Sequence, residues 1–144
     1  MTTVYIGGSR TVSRLNPPLR QRLEHMVKCG ARFLIGDANG ADKAVQQFLA
    51  SLEYRNVEVY CAQECLNNLG GWPSRQVGLP KERGLIADAR CAVMLWDGKS
   101  PDTLHTLREL LAAHKQTLLY FSPTKSFHNL ASESELDEFL AQRA

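Results

Sequence analysis

The sequence predicts an α/β fold: a Rossmann-like, three-layer domain with a mainly parallel sheet of five strands in the order 3-2-1-4-5. Three observations carry that prediction. Short apolar runs alternate with amphipathic helical patterns five times along the chain. Two central runs are apolar without alternation, as expected when helices cover both faces of a sheet. Glycine-rich turns follow the first two runs directly.

Each element has its own local reason. Val4-Tyr5-Ile6 is a strand feeding the turn Gly7-Gly8-Ser9-Arg10. Pro17-Pro18 opens a helix with Leu19, Leu23, Met26 and Val27 on one face, and Gly30 stops it. Arg32-Phe33-Leu34-Ile35 is the second strand, followed by the turn Gly36-Asp37-Ala38-Asn39-Gly40. The next helix buries Ala41, Ala44, Val45, Phe48 and Leu49, and residues 57–61 form the third strand. A helix covers about residues 80–90, and Cys91 to Trp96 is the fourth strand. Leu104, Leu107 and Leu111 mark the helix after it, and Thr117 to Phe121 is the fifth strand. Ser132 and Glu135 have capping-box spacing, with Leu136, Phe139 and Leu140 as the buried stripe of a last helix.

At 144 residues the whole chain, 1–144, reads as one domain. Hydrophobic residues are 44% and charged residues 22%, enough for a core without staples. Net charge is +2 and there is no Lys/Arg block, so nucleic acid is not expected as a partner. No run reaches the ~20 apolar residues of a membrane span, so the expectation is a cytoplasmic protein without membrane contact. Cys61 and Cys65 lack neighbouring histidines for a metal site. Cys29 and Cys91 read as small buried hydrophobes, and all four cysteines as reduced thiols. No metal and no cofactor are expected.

In doubly wound sheets, ligands bind outside the carboxyl ends of the strands, where strand order reverses. Strands one and four flank that point here, and each exit turn has two readings. Gly7 and Gly8 let backbone approach a ligand, with Ser9 and Arg10 as phosphate partners, or they form a tight exit turn with a surface Arg. Asn39 as N-cap puts Asp42 at N3, where a carboxylate favours the helix dipole. Alternatively, Gly36 and Gly40 leave room for a ligand while Asp37 or Asp42 touches a sugar hydroxyl or braces the loop. In the stretch Asp97-Gly98-Lys99-Ser100-Pro101-Asp102-Thr103, Ser100 is at N-cap and Pro101 at N1. That helix start offers free N–H groups, hydroxyls from Ser100 and Thr103, and the Lys99 charge. Asp102 opposes a phosphate there and can satisfy the dipole itself.

Residues 62–79 show no periodicity, which in a compact domain signals function or disorder. Trp72 can stack on a base or plug the loop onto the core, and Arg75 can reach a phosphate. Lys81-Glu82-Arg83 puts cations at a helix start, against the dipole, and such local conflicts mark sites.

The turns IGGSR, GDANGAD and KERGLIADARCAVMLWDGKS and the helix start PDTLHTLREL resemble the SLOG superfamily over about residues 3–121. That group holds the LOG phosphoribohydrolases, the DprA-type DNA-processing proteins and the small bacterial YpsA/YspA-like proteins. The pattern is most similar to the YpsA/YspA-like branch. The resemblance implies a Rossmannoid fold, a pocket for a nucleotide or nucleotide-derived ligand, and pairing as a homodimer. LOG enzymes cleave an N-glycosidic bond with an Arg in an E-R-K run and a Glu in P-G-G-x-G-T-x-x-E. Arg83 matches that Arg. The motif's Gly falls on Asp102 and its Glu on Thr106, so the carboxylate is lost; Glu109, one turn on, and Glu82 are substitutes. The expected function is therefore binding of a nucleotide-like small molecule as sensor or regulator. Hydrolysis or transfer at an N-glycosidic bond through Arg83 and Glu109 is the alternative, and whether the chain is an enzyme stays open.

Overall fold

The computed structural model describes residues 2–143. Its centre is five parallel strands: β1 (Thr3–Gly8), β2 (Arg32–Gly36), β3 (Val57–Cys61), β5 (Cys91–Trp96) and β6 (Thr117–Phe121). Two edge strands were not expected. β4 (Ser74–Gln76) runs parallel to β3, and β7 (Ser126–Leu130) runs antiparallel to β6. The sheet thus has seven strands, not five, in the order β4-β3-β2-β1-β5-β6-β7, and differs from the expected order by one strand at each edge. Both additions lack an apolar run: β4 is Ser-Arg-Gln, wholly exposed, and β7 is Ser-Phe-His-Asn-Leu.

Helices α1 (Pro17–Lys28) and α2 (Ala41–Ser51) cover one face. Helices α3 (Glu82–Asp88), α4 (Pro101–Ala112) and α5 (Glu133–Ala141) cover the other. Successive strand residues feed opposite cores. Val4 and Ile6 pack with Leu19, Leu23, Val45 and Leu49, whereas Tyr5 packs with Leu85, Met94 and Leu107. This explains the unbroken apolar runs, since both faces are dry. Each fully buried Leu contributes roughly 1.5–3 kcal/mol of burial.

The helix ends follow local chemistry. Asn16 caps α1, its Oδ1 accepting the Leu19 N–H at 3.0 Å, with Pro17 following. Ser132 Oγ accepts the Glu135 N–H at 3.2 Å, and Glu135 Oε1 accepts the Ala131 N–H at 2.9 Å. α3 is shorter than expected, starting at Glu82. α2 departs too: Gly40, not Asn39, is its N-cap, which places Asp42 at N2.

The segment after β3 is ordered by specific contacts. Cys61 and Cys65, expected as reduced thiols, form a disulfide, because the turn brings their Cα atoms to 5.1 Å. Cys29 is exposed and not a core residue. Trp72 is 4% exposed and donates its indole N–H to the Tyr54 carbonyl at 2.8 Å. Asn68 clasps the Trp72 backbone on both sides. Trp72 is therefore a plug, with no face for stacking. Among the described residues, no helix is long and apolar enough to cross a membrane.

Candidate functional site

Sheet order reverses between β1 and β5, and three turns meet there. Gly8 lies opposite Leu95, and a Cβ on it would collide with the Leu95 carbonyl. Ser9 joins the turns. Its N–H donates to the Leu95 carbonyl at 2.8 Å, and its own carbonyl accepts the Ala41 N–H at 3.1 Å. Its hydroxyl contacts Thr103 Oγ1 at 3.1 Å and accepts the Asp97 N–H at 3.3 Å. Gly40, at φ 85°, lies against the Arg10 backbone, where a side chain would collide.

Asp97 organises the turn into α4. One carboxyl oxygen accepts the N–H groups of Lys99 at 2.8 Å and Ser100 at 2.7 Å. The other accepts the hydroxyls of Thr11 at 2.6 Å and Ser100 at 2.8 Å. Burial pushes this carboxyl up, but the four hydrogen bonds outweigh it and hold it well below the usual carboxylate range. Ser100 therefore occupies the N-cap position without capping through its side chain.

Around these turns opens a cleft of about 370 Å³. Tyr5, Leu85 and Met94 line it with Ser9, Arg10, Asp42, Lys81, Glu82, Ser100, Asp102, Thr103 and Thr106. Asp42 is 7% exposed; its Oδ2 accepts the Ala38 N–H at 3.1 Å. Burial raises its carboxyl to about 7, against the opposing pull of Lys81 and the Ala38 hydrogen bond. Gly36 makes room for it, since a Cβ there would collide with the carboxyl, and Gly7 makes room for the Tyr5 ring beside it. Lys81 donates to Asp37 at 2.6 Å, and Asp37 also accepts the Leu66 N–H at 2.8 Å. Burial pushes Asp37 up, and those two partners bring it net below its ordinary value.

A second groove, of about 440 Å³, lies along the same edge. The loop between β1 and α1 lines both: Ser9 and Arg10 face the first, and Thr11 to Asn16 the second, with Tyr120, Ser122 and Lys125 opposite. Arg10, Arg14, Lys99 and Lys125 are exposed except for their backbone contacts, and their side chains have no hydrogen-bond or ion-pair partner among the described residues.

The structure thus brings Gly8, Ser9, Arg10, Asp42, Ser100 and Thr103 together at one cleft, with Gly7, Gly36 and Gly40 shaping it and Asp37, Asp97, Gly98 and Lys99 behind or beside it. Trp72 and Arg75 lie elsewhere; Arg75 sits on β4, paired with Glu58 and Asp88. Arg83 and Glu109, expected as a catalytic pair, do not line the cleft. Arg83 is exposed on α3, and Glu109 pairs with His105 on α4. Arg83 is on the surface, while the Glu109 carboxylate stays near enough to Tyr5 to act on its hydroxyl. Thr106 is spent on the Asp102 carbonyl at 3.1 Å. Lys81, flagged in the sequence by its place at a helix start, lines the cleft, and Tyr5 is the lining residue the sequence reading missed. A hydroxyl-bearing ring inside an otherwise apolar strand, two residues before the glycine turn, was the signal for Tyr5.

This edge combines free cations, hydroxyls and the start of α4, and so can hold an anionic ligand in a Rossmannoid domain. No protein-family profile and no curated relative matches the chain. A solved structure does: DNA processing protein A from Helicobacter pylori, described for its single-stranded DNA binding mode. The TM-score is 0.53 at 15% identity, over 82% of this chain and 64% of that one. The chain therefore spans less than two thirds of that relative. The likeness shows a shared fold alone and does not single out the YpsA/YspA-like branch.

That finding overturns two expectations. A neighbour that binds single-stranded DNA speaks against a sensor of nucleotide-like small molecules and against N-glycosidic hydrolysis. It equally overturns the exclusion of nucleic acid. The charge argument failed because +2 is a sum over the chain. Many acids are spent on partners, such as Glu58 on Arg32 and Arg75, while cations at the carboxyl edge are free.

Proposed function

We propose that the carboxyl edge of the sheet binds single-stranded nucleic acid, in the first instance single-stranded DNA, through its phosphate backbone. One observation carries this reading. Two adjacent grooves share the β1–α1 loop, whose Arg10 and Arg14 have no partner among the described residues. A lone nucleotide would occupy one groove; a strand follows both. Arg10 and the free N–H groups at the start of α4 take one phosphate, and Arg14 and Lys125 take the next. Guanidinium groups suit phosphate by charge and fork geometry. Arg10, Ser9, Gly8 and Thr103 are the expected ligand residues that this reading retains. It treats residues 1–144 as a single domain. The shared fold with a single-stranded DNA binder supports it.

Fluorescence anisotropy with a labelled oligothymidylate somewhat longer than about 16 nucleotides tests the reading. Binding should weaken with salt, the log–log slope growing by about 0.7 for each phosphate neutralised. Arg10→Ala and Arg14→Ala should each weaken binding and lower that slope. Absence of binding at low salt, or variants indistinguishable from the parent, would refute it.

A further inference from the structure

We propose that the floor of the cleft holds one unstacked nucleobase of the bound strand, read through its hydrogen-bonding edge by the Tyr5 hydroxyl and the free Asp42 carboxyl oxygen. This rests on the strand-binding reading and adds a base-recognition site to it. Tyr5 is 4% exposed and lines the cleft, yet its hydroxyl has no hydrogen-bond partner among the described residues. Asp42 uses Oδ2 for the Ala38 N–H and leaves Oδ1 free. Both groups face the space over Gly7: a Cβ there would lie 3.2 Å from the Tyr5 oxygen and 3.4 Å from Asp42 Oδ1. Both atoms are open to the cleft and lie side by side, so one occupant can pair with both.

The chemistry selects the occupant. Tyr5 stays a neutral donor, because burial and the carboxylates of Asp42, Glu82 and Glu109 push its hydroxyl well above its ordinary value. Asp42 Oδ1 accepts. The pair thus fits a flat group with an acceptor next to a donor. Every nucleobase has that on its pairing edge, as a ring nitrogen beside an amino group or a carbonyl beside a ring N–H. Unstacked bases in single strands are read there. Leu85 and Met94 offer apolar contact to the faces of the ring, and Leu79, 83% exposed, stands at the mouth. Glu82 at the cleft opposes a phosphate in this place, and Asp42 adds to that repulsion once pH rises above about 7. Phosphate outside at Arg10 and base inside at Tyr5 then fixes the direction in which the strand enters. No Phe, Tyr or Trp ring is exposed among the described residues and no histidine lines the cleft, so base contacts here run through edges instead of stacking.

The test compares oligothymidylate, oligoadenylate and an abasic oligonucleotide of equal length by anisotropy, with free thymidine and adenosine as competitors. The parent should bind base-bearing strands roughly tenfold more tightly than the abasic one, as edge contacts of this kind allow. Tyr5→Phe keeps the buried ring and should erase most of that preference while leaving the affinity for the abasic strand unchanged. Asp42→Asn should reduce it as well. Equal binding of abasic and base-bearing strands would overturn the proposal and leave strand binding intact. So would a preference that survives both substitutions, or free nucleosides that compete as well as strands do. If no oligonucleotide binds, the strand-binding reading falls and this inference falls with it.

Discussion

Asp42 combines deep burial with a carboxyl raised from 3.8 to about 7, and Lys81, Asp37, Glu82 and Tyr5 surround it. A raised carboxyl means the folded state holds its proton more tightly than the unfolded one. The stability it contributes is complete below about pH 4 and is lost as pH rises through about 7. Asp37 and Asp97 are lowered, so their contribution is present above the unfolded value and lost only as pH falls further. Thermal melts of the parent should therefore fall between about pH 5 and pH 8, and Asp42→Asn should flatten that decline. An equal decline in the variant would show that Asp42 does not cause it. Gly40→Ala makes a different case. Its φ of 85° and the Arg10 backbone against it both oppose a side chain, and the cost should be about 1–3 kcal/mol. Because the same contact seats the β1–α1 loop, oligonucleotide affinity should drop with the melting temperature; a fully stable variant would contradict this packing.

The central elements were legible because burial on both faces writes itself as apolar runs. Val4 to Ile6 and Cys91 to Trp96 send alternate residues into separate cores, and no polar residue is tolerated on either side. The edge strands were not legible. β4 is held by backbone pairing of Ser74, Arg75 and Gln76 to β3, which leaves no hydrophobic signature. The segment between β3 and β4 looked structureless because its order comes from single contacts: the Cys61–Cys65 disulfide, the Asp37 bond to Leu66 and the Trp72 plug. Trp72→Ala should cost roughly 3–5 kcal/mol in chemical denaturation, the penalty of emptying a buried aromatic site. Below the melting transition its affinity for an oligonucleotide should match the parent's, since Trp72 lies outside both grooves. Loss of binding by a folded variant would place the long loop in the interface after all.

Across the whole molecule, part of the candidate site was readable in the sequence. Three turns were expected to converge, and Ser9 joins all three. Tyr5 was hidden inside a strand pattern, and the free or spent state of each charge is a property of tertiary pairing that composition does not record. Net charge predicted no polyanion partner, while the local arrangement leaves Arg10, Arg14, Lys99 and Lys125 at one edge without a side-chain partner among the described residues. The two grooves meet around the β1–α1 loop, so a flexible single strand that can follow both should bind more tightly than a rigid duplex of the same length. Backbone amide shifts on titrating the full chain with oligothymidylate test the central claim most directly. The account predicts the largest changes at Gly8 to Arg14 and Gly98 to Thr103, along the carboxyl edge of β1 and β5. Changes confined to the opposite edge, around Thr3, Arg32 and Cys91, would contradict it.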